Sequence, residues 1–214
     1  MPTYDDALEA YLRENFAIED DVLITIRENI AASGLPQISI NQEDGRFLEF
    51  IAAASGARLA LEIGTLGGYS GTWITRGLPD DGRLITIEAN PEHASVAESN
   101  FRLAGLAKRV DIRVGDAHQL LPELSTEGPF DLIFIDAEKM GYPVYLDWAL
   151  ENLQPGGIIA GHNAFGHGDI VDAADTSERT EALRGFNRRL AEDPRMVSLI
   201  FPAGDGMAVA VRRK

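Results

Sequence analysis

The chain has no cysteine among its 214 residues. This excludes disulfide bonds and thiolate zinc sites, and it is consistent with the reducing conditions of the cytoplasm, where we expect the protein. No apolar run approaches the roughly 20 residues that a membrane helix needs. The acidic start, MPTYDDALEAYLREN, lacks the basic and apolar regions of a signal peptide. The sequence therefore predicts a protein without a membrane segment.

Basic residues are also scarce. The 19 Lys and Arg against 34 Asp and Glu give a formal net charge of −15. Nucleic-acid partners are not expected, because broad electrostatic binding to a phosphate backbone needs a basic face. Hydrophobic residues make up 45% and charged residues 25%, which is ordinary for a folded chain. We expect one domain over residues 1–214, since this length suits a single large core.

The first quarter of the chain is predicted to be helical. Apolar residues recur at helix-like spacing over residues 1–33, from Tyr4 onward. The stretch SGLPQIS breaks this pattern, and NQEDGRFLEFIAAAS then predicts a second helix that Asn41 caps. Residues 1–55 therefore form an N-terminal helical extension in this prediction.

From residue 58 onward, short β-prone runs alternate with helix-like segments. The runs cover residues 58–64, 83–88, 109–115, 130–136 and 157–162, and the segments between them lie near 70–77, 91–104, 117–123 and 142–152. This alternation is typical of a parallel sheet with helices on both faces. A helix-like segment (176–193) and two β-prone runs within 196–213 then predict a C-terminal hairpin. Residues 56–214 therefore form an α/β core.

Two strand ends and a glycine-rich turn predict a nucleoside-shaped ligand. In open α/β sheets, ligands bind at the carboxyl ends of the strands. The first run ends in EIGTLGGYSG, but Leu66 stands where the dinucleotide fingerprint G-x-G-x-x-G needs its second glycine. The next two runs end in Glu88 and Asp116. Glu88 is placed to accept both ribose hydroxyls, Asp116 to accept from an exocyclic amine of adenine, and Ala117-His118 to flank the ring. The alternative is that both acids are only polar strand ends.

Several motifs together resemble a known family. The stretches LEIGTLGGYSGTW, GRLITIEANPEHA, VGDAHQLLPEL, FDLIFIDAEKMGYPVYLDWAL and LQPGGIIAGHNAF occur in order. They resemble the class I S-adenosylmethionine (SAM)-dependent O-methyltransferases of the caffeoyl-CoA and catechol group, from about Ile38 to the C-terminus. The resemblance implies a Rossmann-like, seven-stranded, mostly parallel sheet with an antiparallel C-terminal hairpin. It also implies SAM as cofactor and a homodimer.

The resemblance further implies which residues hold the cofactor. Glu88 would bind the ribose and Asp116 the adenine, Ser70 would contact the methionine carboxylate, and Ile40 would offer a backbone contact. The full set of expected cofactor-binding residues is Ile40, Glu62, Gly64, Thr65, Gly68, Ser70, Glu88, Ala89, Asp116, Ala117, His118, Asp136 and Glu138.

The family places its chemistry after the fourth strand, where this chain has FIDAEKMGY. By resemblance, Asp136 is a metal ligand and Lys139 the general base. A phenolic hydroxyl has an unperturbed pKa of about 10, so it must lose its proton to attack a methyl group. A divalent cation lowers the pKa of a bound hydroxyl, and a lysine with a lowered pKa can take the proton. The alternative for Lys139 is a surface ion pair with Glu138 or Asp136.

At the end of the fifth strand the family usually has Asp-Asn, both metal ligands, whereas this chain has His162-Asn163. Three interpretations compete. His162 ligates a metal together with Asp136 and Asn163, His162 is a base or acceptor contact after loss of the metal, or His162 is structural. Imidazole suits transition-series ions better than magnesium, so a ligating His162 favours such an ion. His167 is predicted to be a loop residue.

These features predict an enzyme that transfers a methyl group from SAM to a hydroxyl of a small catechol-like or other phenolic acceptor, with metal assistance. The alternatives are methylation of a modified tRNA base and a non-catalytic SAM-binding module. The net charge of −15 counts against the first alternative. The presence of Asp136, Lys139 and Asn163 counts against the second.

Overall fold

The computed structural model describes residues 6–214, so Tyr4 and the first part of the predicted N-terminal helix lie outside the described residues. Within residues 6–214 there are eight α-helices: α1 Asp6–Asn15, α2 Asp21–Ala32, α3 Gln42–Ser55, α4 Tyr69–Gly77, α5 Pro91–Leu103, α6 Ala117–Leu124, α7 Tyr142–Asn152 and α8 Glu178–Glu192. The described part of the chain also has seven strands: β1 Leu59–Ile63, β2 Arg83–Glu88, β3 Val110–Val114, β4 Phe130–Ile135, β5 Leu153–His162, β6 Met196–Phe201 and β7 Met207–Arg212. Short 3-10 turns lie at Lys139–Gly141 and Gly166–Val171.

The strands make one sheet in the order β3-β2-β1-β4-β5-β7-β6. The first five pair in parallel, and β7 runs antiparallel to both β5 and β6. The carboxyl ends of β1, β2, β4 and β5 therefore meet at the same edge. The predicted seven-stranded, mostly parallel sheet with its antiparallel hairpin is confirmed.

Successive residues of the central strands serve two separate cores. In β4, Leu132 and Phe134 pack with the N-terminal helices and α4, whereas Ile133 and Ile135 pack with α6, α7 and α8. This follows from the pleat, which points alternate side chains to opposite faces. A strand covered on both faces reads as a continuous apolar run, which is why FDLIFI shows no polar alternation.

The N-terminal helical stretch is broken, unlike the prediction. Helix α1 ends at Asn15 and α2 begins at Asp21. The side chain of Asp20 accepts a hydrogen bond from the backbone N–H of Leu23 at 3.0 Å. An aspartate at this position satisfies an N–H that has no partner within the helix, so it starts a new helix where apolar spacing alone suggested continuity.

Strand β5 also begins earlier than predicted, at Leu153 in place of residue 157. Leu153 pairs with Phe130, and the register then shifts before Leu132 pairs with Ile158. The Gln154-Pro155-Gly156 stretch lies in this irregular part, so its turn-like composition hid the first residues of the strand.

Helix α3 and the C-terminal hairpin meet beside the open end of the sheet. The rings of Phe47 and Phe201 stack with centroids 4.2 Å apart and planes inclined by 2°. Leu48 and Ile51 of α3 are buried. Among the helices of residues 6–214, none combines the length and apolar character that crossing a membrane requires.

Candidate active site

A cavity of about 1040 Å³ opens at the carboxyl ends of the strands. Of the residues predicted to bind cofactor or metal or to act in catalysis, those that line it are Ile40, Gly64, Thr65, Ser70, Glu88, Ala89, Asp116, Ala117, His118, Asp136, Glu138, Lys139, His162 and Asn163. Glu62 and Gly68 do not line the cavity and lie behind its wall. The parallel sheet thus brings together residues that are as much as 123 positions apart in the sequence, from Ile40 to Asn163.

The turn after β1 passes close to the neighbouring strand. Gly64 has a φ of 102°, and a Cβ there would lie 2.2 Å from the carbonyl oxygen of Asp136. A side chain at this position would therefore push apart β1 and the segment that follows β4. Glycine is needed for the close approach, which keeps the two cavity walls adjacent.

Glu88 is held at the end of β2 by two backbone donors. Its Oε2 accepts from the N–H of Leu66 at 2.8 Å, and its Oε1 accepts from the N–H of Asn90 at 2.9 Å. The side chain is largely buried yet lines the cavity. A carboxylate oxygen can accept more than one hydrogen bond, so Glu88 retains capacity for the hydroxyls of a ligand.

Asp116 begins helix α6, and one of its oxygens accepts from the N–H of His118 at 2.9 Å. The His118 ring lies 5.0 Å from the ring of Tyr145, measured between centroids. His118 Nε2 is 3.3 Å from Glu138 Oε1, and the Tyr145 hydroxyl donates to the same oxygen. These side chains form a connected part of the cavity wall that contains two aromatic rings.

Ser70 faces the middle of the cavity, but its hydroxyl donates to Glu62 Oε1 at 2.5 Å. Thr86 Oγ1 donates to the other oxygen, Oε2, at 2.7 Å. Glu62 therefore orients Ser70 from behind the cavity wall. Its place in the interior explains why it does not reach the cavity itself.

Lys139 and Asp136 form an ion pair in the cavity wall. Lys139 Nζ donates to Asp136 Oδ1 at 2.9 Å and to the Tyr142 hydroxyl at 2.8 Å. The Tyr142 hydroxyl lies 3.0 Å from the carbonyl oxygens of both Ile135 and His162. Burial and the carboxylates of Asp136 and Glu138 raise the pKa of Tyr142 well above its ordinary value, so it stays protonated. Tyr142 thus fixes Lys139 against the ends of β4 and β5.

His162 lies between two carboxylates that belong to different elements. Its Nδ1 is 3.3 Å from Asp136 Oδ2, and its Nε2 is 3.4 Å from Asp44 Oδ2 in the first turn of α3. Burial alone would lower the pKa of His162, but Asp136 and Asp44 outweigh it and raise that pKa from 6.5 to about 9. Burial likewise opposes ionisation of Asp136, yet His162 and Lys139 lower the pKa of that carboxyl to about 2. The site therefore carries charged groups of both signs at neutral pH.

The donor set expected for a metal does not fit this arrangement. A ligating imidazole must be neutral and offer a lone pair, whereas both ring nitrogens of His162 face carboxylates. Both oxygens of Asp136 already contact cationic side chains, and Asn163 Nδ2 donates to Asp205 Oδ2 at 3.0 Å. Within residues 6–214, no group of three or more His, Asp or Glu side chains has the arrangement of a metal site.

Three residues of this site were not predicted from the sequence. Asp44 lies in the acidic QEDG stretch, which looks like an ordinary first helical turn. Tyr142 was assigned only to the start of a helix. Asp205 lies in the loop of the hairpin, where an aspartate is expected for turn formation alone. None of them carries a local signal, since each reaches the site only through the tertiary fold.

His167, which the sequence predicted to be a loop residue, lies at a kink within the 3-10 segment Gly166–Val171, and it also lines the cavity. Its backbone N–H donates to Asp205 Oδ1 at 2.6 Å, and its ring is mostly exposed. His167 and Asn163 both have a φ of 58°, a conformation in which residues other than glycine are uncommon. Asp205 contacts both residues, so it supports this backbone path next to His162.

The strand order, the antiparallel β7 and the cavity define a Rossmann-like methyltransferase fold. The O-methyltransferase from Bacillus cereus, solved in complex with SAH, has a TM-score of 0.91 at 36% identity, covering 97% of each chain. An O-methyltransferase from Streptomyces achromogenes, solved in complex with SAM, has a TM-score of 0.87 at 32% identity, covering 97% of this chain and 96% of that one.

The sequence comparisons give the family. A family model described as O-methyltransferase matches residues 13–214, so the chain belongs to the O-methyltransferase family. A catechol O-methyltransferase of Niastella koreensis is 39% identical, covering 96% of each chain. A catechol O-methyltransferase of Mycobacterium tuberculosis is 37% identical, covering 96% of this chain and 95% of that one.

Proposed function

We propose that this protein transfers the methyl group of SAM to a hydroxyl of a small phenolic acceptor of the catechol type. The observation that carries the proposal is the position of Lys139. Its ammonium group lines the same cavity as Glu88 and Asp116, and it is held by Asp136 and Tyr142. One cavity therefore joins a wall suited to a nucleoside with a group suited to proton transfer.

The chain's own residues would hold the cofactor along the strand ends. Glu88 accepts from the ribose hydroxyls and Asp116 from the adenine amine, while Ala117, His118 and Glu138 border the ring. Gly64, Thr65, Ser70 and Ala89 line the path between the ribose and the methionine part, and the backbone near Ile40 closes it. Bound SAM supplies a methyl group on a positively charged sulfur.

At the acceptor end, the work of the protein is orientation and proton transfer. Lys139 contacts the acceptor hydroxyl, and once its ammonium group has released a proton to water, the neutral amine takes up the hydroxyl proton as the oxygen attacks the methyl carbon in line. Asp136 and Tyr142 fix the position of Lys139. The sequence also predicted metal assistance, but because the donor set does not fit a metal, no step is assigned to one.

The experiment is methyl transfer from labelled SAM to a panel of catechols and monohydroxylated phenols, with the wild type and Lys139→Met. The variant should lower kcat by about 10²–10⁴, the range typical of general base catalysis, with little change in the Kd of SAM. Lys108→Met is the matched control, because Lys108 is exposed and does not line the cavity. Methyl transfer by Lys139→Met at the wild-type rate would assign Lys139 a structural role.

A further inference from the structure

The contacts of His162 define its chemical form. Its two ring nitrogens lie 3.3 Å and 3.4 Å from carboxylate oxygens of Asp136 and Asp44. Ionised carboxylates only accept hydrogen bonds, so both nitrogens must carry a proton. Asp44 has no exposed surface, and His162 is 8% exposed. The positive imidazolium is thus fixed between a helix and the ends of two strands.

The charges of this cluster balance without any added ion. Two carboxylates, Asp44 and Asp136, lie with two cations, His162 and Lys139. If an aspartate stood in place of His162, the cluster would have three carboxylates and one lysine. The net charge of −2 in that cluster would be neutralised by one divalent cation. The cluster of this chain has no net charge and therefore does not attract such an ion.

We infer that His162 replaces the divalent ion, so that this chain transfers methyl groups without a metal and accepts phenols that carry a single hydroxyl. The inference rests on the proposed function. A bound metal can chelate both oxygens of a catechol, which makes the second hydroxyl a requirement for tight binding. Here Lys139 contacts one oxygen only. His162 acts as a positioning residue, because it holds Asp136 in place and shares its charge with Lys139.

The transfer step balances without a further reagent. The acceptor oxygen forms a bond to the methyl carbon, the carbon–sulfur bond breaks, and its electron pair stays on sulfur. Lys139 first releases a proton to water, and its neutral amine then takes up the hydroxyl proton, which restores the ammonium group. The products are the aryl methyl ether and S-adenosylhomocysteine.

The first test measures Mn²⁺ binding by the loss of its free electron paramagnetic resonance signal, in the presence of SAM. Wild type should bind no Mn²⁺ at the site, and EDTA should leave its turnover unchanged. His162→Asp should bind one Mn²⁺, with affinity tighter than wild type by more than the roughly 10–100-fold that outer partners of a metal contribute. His162→Gln is the matched control, since it removes the positive charge without adding a carboxylate, and it should bind none.

Activity then separates the variants. Without metal, His162→Asp and His162→Gln should both lose turnover. Added Mn²⁺ should restore turnover in His162→Asp only. Monohydroxylated phenols and catechols should give wild-type kcat/KM values within about tenfold of each other, since a second hydroxyl gains no charge-assisted contact. His162→Asp with Mn²⁺ should favour catechols by at least that factor.

Two results would overturn the inference. One is that wild type binds one Mn²⁺ and His162→Gln binds none, and the other is that EDTA abolishes the turnover of wild type. Circular dichroism and SAM binding verify that the wild type and each variant are folded, and the EDTA measurement needs the wild type alone. If wild type methylates no acceptor in the panel, the proposed function fails, while the Mn²⁺ measurement still decides whether His162 excludes the ion.

Discussion

Glu62 is a carboxylic acid without exposed surface, and it lies directly behind the cavity wall. Burial raises the pKa of this carboxyl from 4.5 to about 7, and the nearby charges of Asp136 and Glu88 add to the effect, against the hydrogen bonds from Ser70 and Thr86. A group whose pKa is higher in the folded than in the unfolded state stabilises the fold only while both states are protonated. Glu62 should therefore make the protein less stable as the pH rises.

Glu62→Gln tests this directly. Between pH 4.5 and about 7 the unfolded chain ionises Glu62 while the folded chain does not, so the wild type should lose about 3 kcal/mol of unfolding free energy over that range, at about 1.36 kcal/mol per pKa unit. Glu62→Gln lacks this loss, so its unfolding free energy should rise relative to that of the wild type as the pH rises. Urea unfolding of the SAM-free protein at several pH values measures it. Glu92→Gln, at an exposed position, should follow the wild type, and equal slopes for all three proteins would contradict the prediction.

Glu88→Ala should weaken SAM binding by at least about tenfold, because losing a charged hydrogen-bond acceptor costs about 1.5–3 kcal/mol. Isothermal titration calorimetry measures the Kd. Glu92→Ala serves as control, since Glu92 is exposed and lies outside the cavity. An unchanged Kd in a folded Glu88→Ala protein would remove Glu88 from the ribose site.

At the scale of elements, Arg109 joins the end of α4 to the start of β2 and β3. Its guanidinium donates to the carbonyl oxygens of Thr75, Leu78, Pro79 and Gly82 at 2.7 to 3.1 Å. The last carbonyls of a helix have no partner within it, and an arginine side chain can satisfy them. The loop from Gly77 to Gly82 therefore depends on one side chain from the edge of the sheet.

Arg109→Met should lower the unfolding free energy by about 2–3 kcal/mol, since it removes charged hydrogen bonds to four carbonyls, of which only those of Thr75 and Pro79 keep a backbone donor in the turn. Arg109→Lys should recover little, because an ammonium group lacks the planar fork that reaches several carbonyls at once. Denaturant unfolding measures both. Arg102→Met removes an exposed pair with Glu98, so it should cost no more than about 0.5 kcal/mol. A similar cost for Arg102→Met and Arg109→Met would refute the role of Arg109.

The elements themselves were largely predictable, and the reasons are visible in particular segments. The apolar run FDLIFI and its neighbours at regular intervals predicted β4 and the sheet, because a doubly covered strand has a distinct composition. The start of β5 at Leu153 was missed because Pro155 and Gly156 imitate a turn. The break before Asp21 was missed because a single capping aspartate decided it.

Some residues of the candidate site could also be predicted from the sequence, and others could not. Residues at strand ends, such as Glu88, Asp116 and Asp136, could be predicted because a parallel sheet gathers its carboxyl ends at one edge. Asp44 could not, because it reaches His162 from a helix 118 positions earlier in the chain. A sequence pattern records local periodicity but no pairing of this kind, so the chemical form of His162 became visible only in the fold.

For the whole molecule, the net charge of −15 predicts that tRNA is not a substrate. Labelled tRNA in a fluorescence anisotropy titration at physiological salt should show a Kd weaker than about 10⁻⁴ M, the weak end of non-specific binding. A basic tRNA-binding protein in the same buffer provides the positive control. Tight, salt-dependent binding would instead favour methylation of a modified tRNA base. The homodimer and the single-domain organisation stay predictions, which light scattering and unfolding by two probes measure.

The position of β7 has a consequence for how the protein is made. This strand comes latest in chain order, yet it lies between β5 and β6 and not at the rim of the sheet. The chain is synthesised from its N-terminus, so the edge of β5 that faces away from β4 has unpaired backbone groups until β7 is made. Asp205, just before β7, completes the surroundings of Asn163 at the same moment. The cavity therefore forms late in folding. A nascent chain that stops before β7 leaves the edge of β5 unpaired, where it can aggregate or bind chaperones.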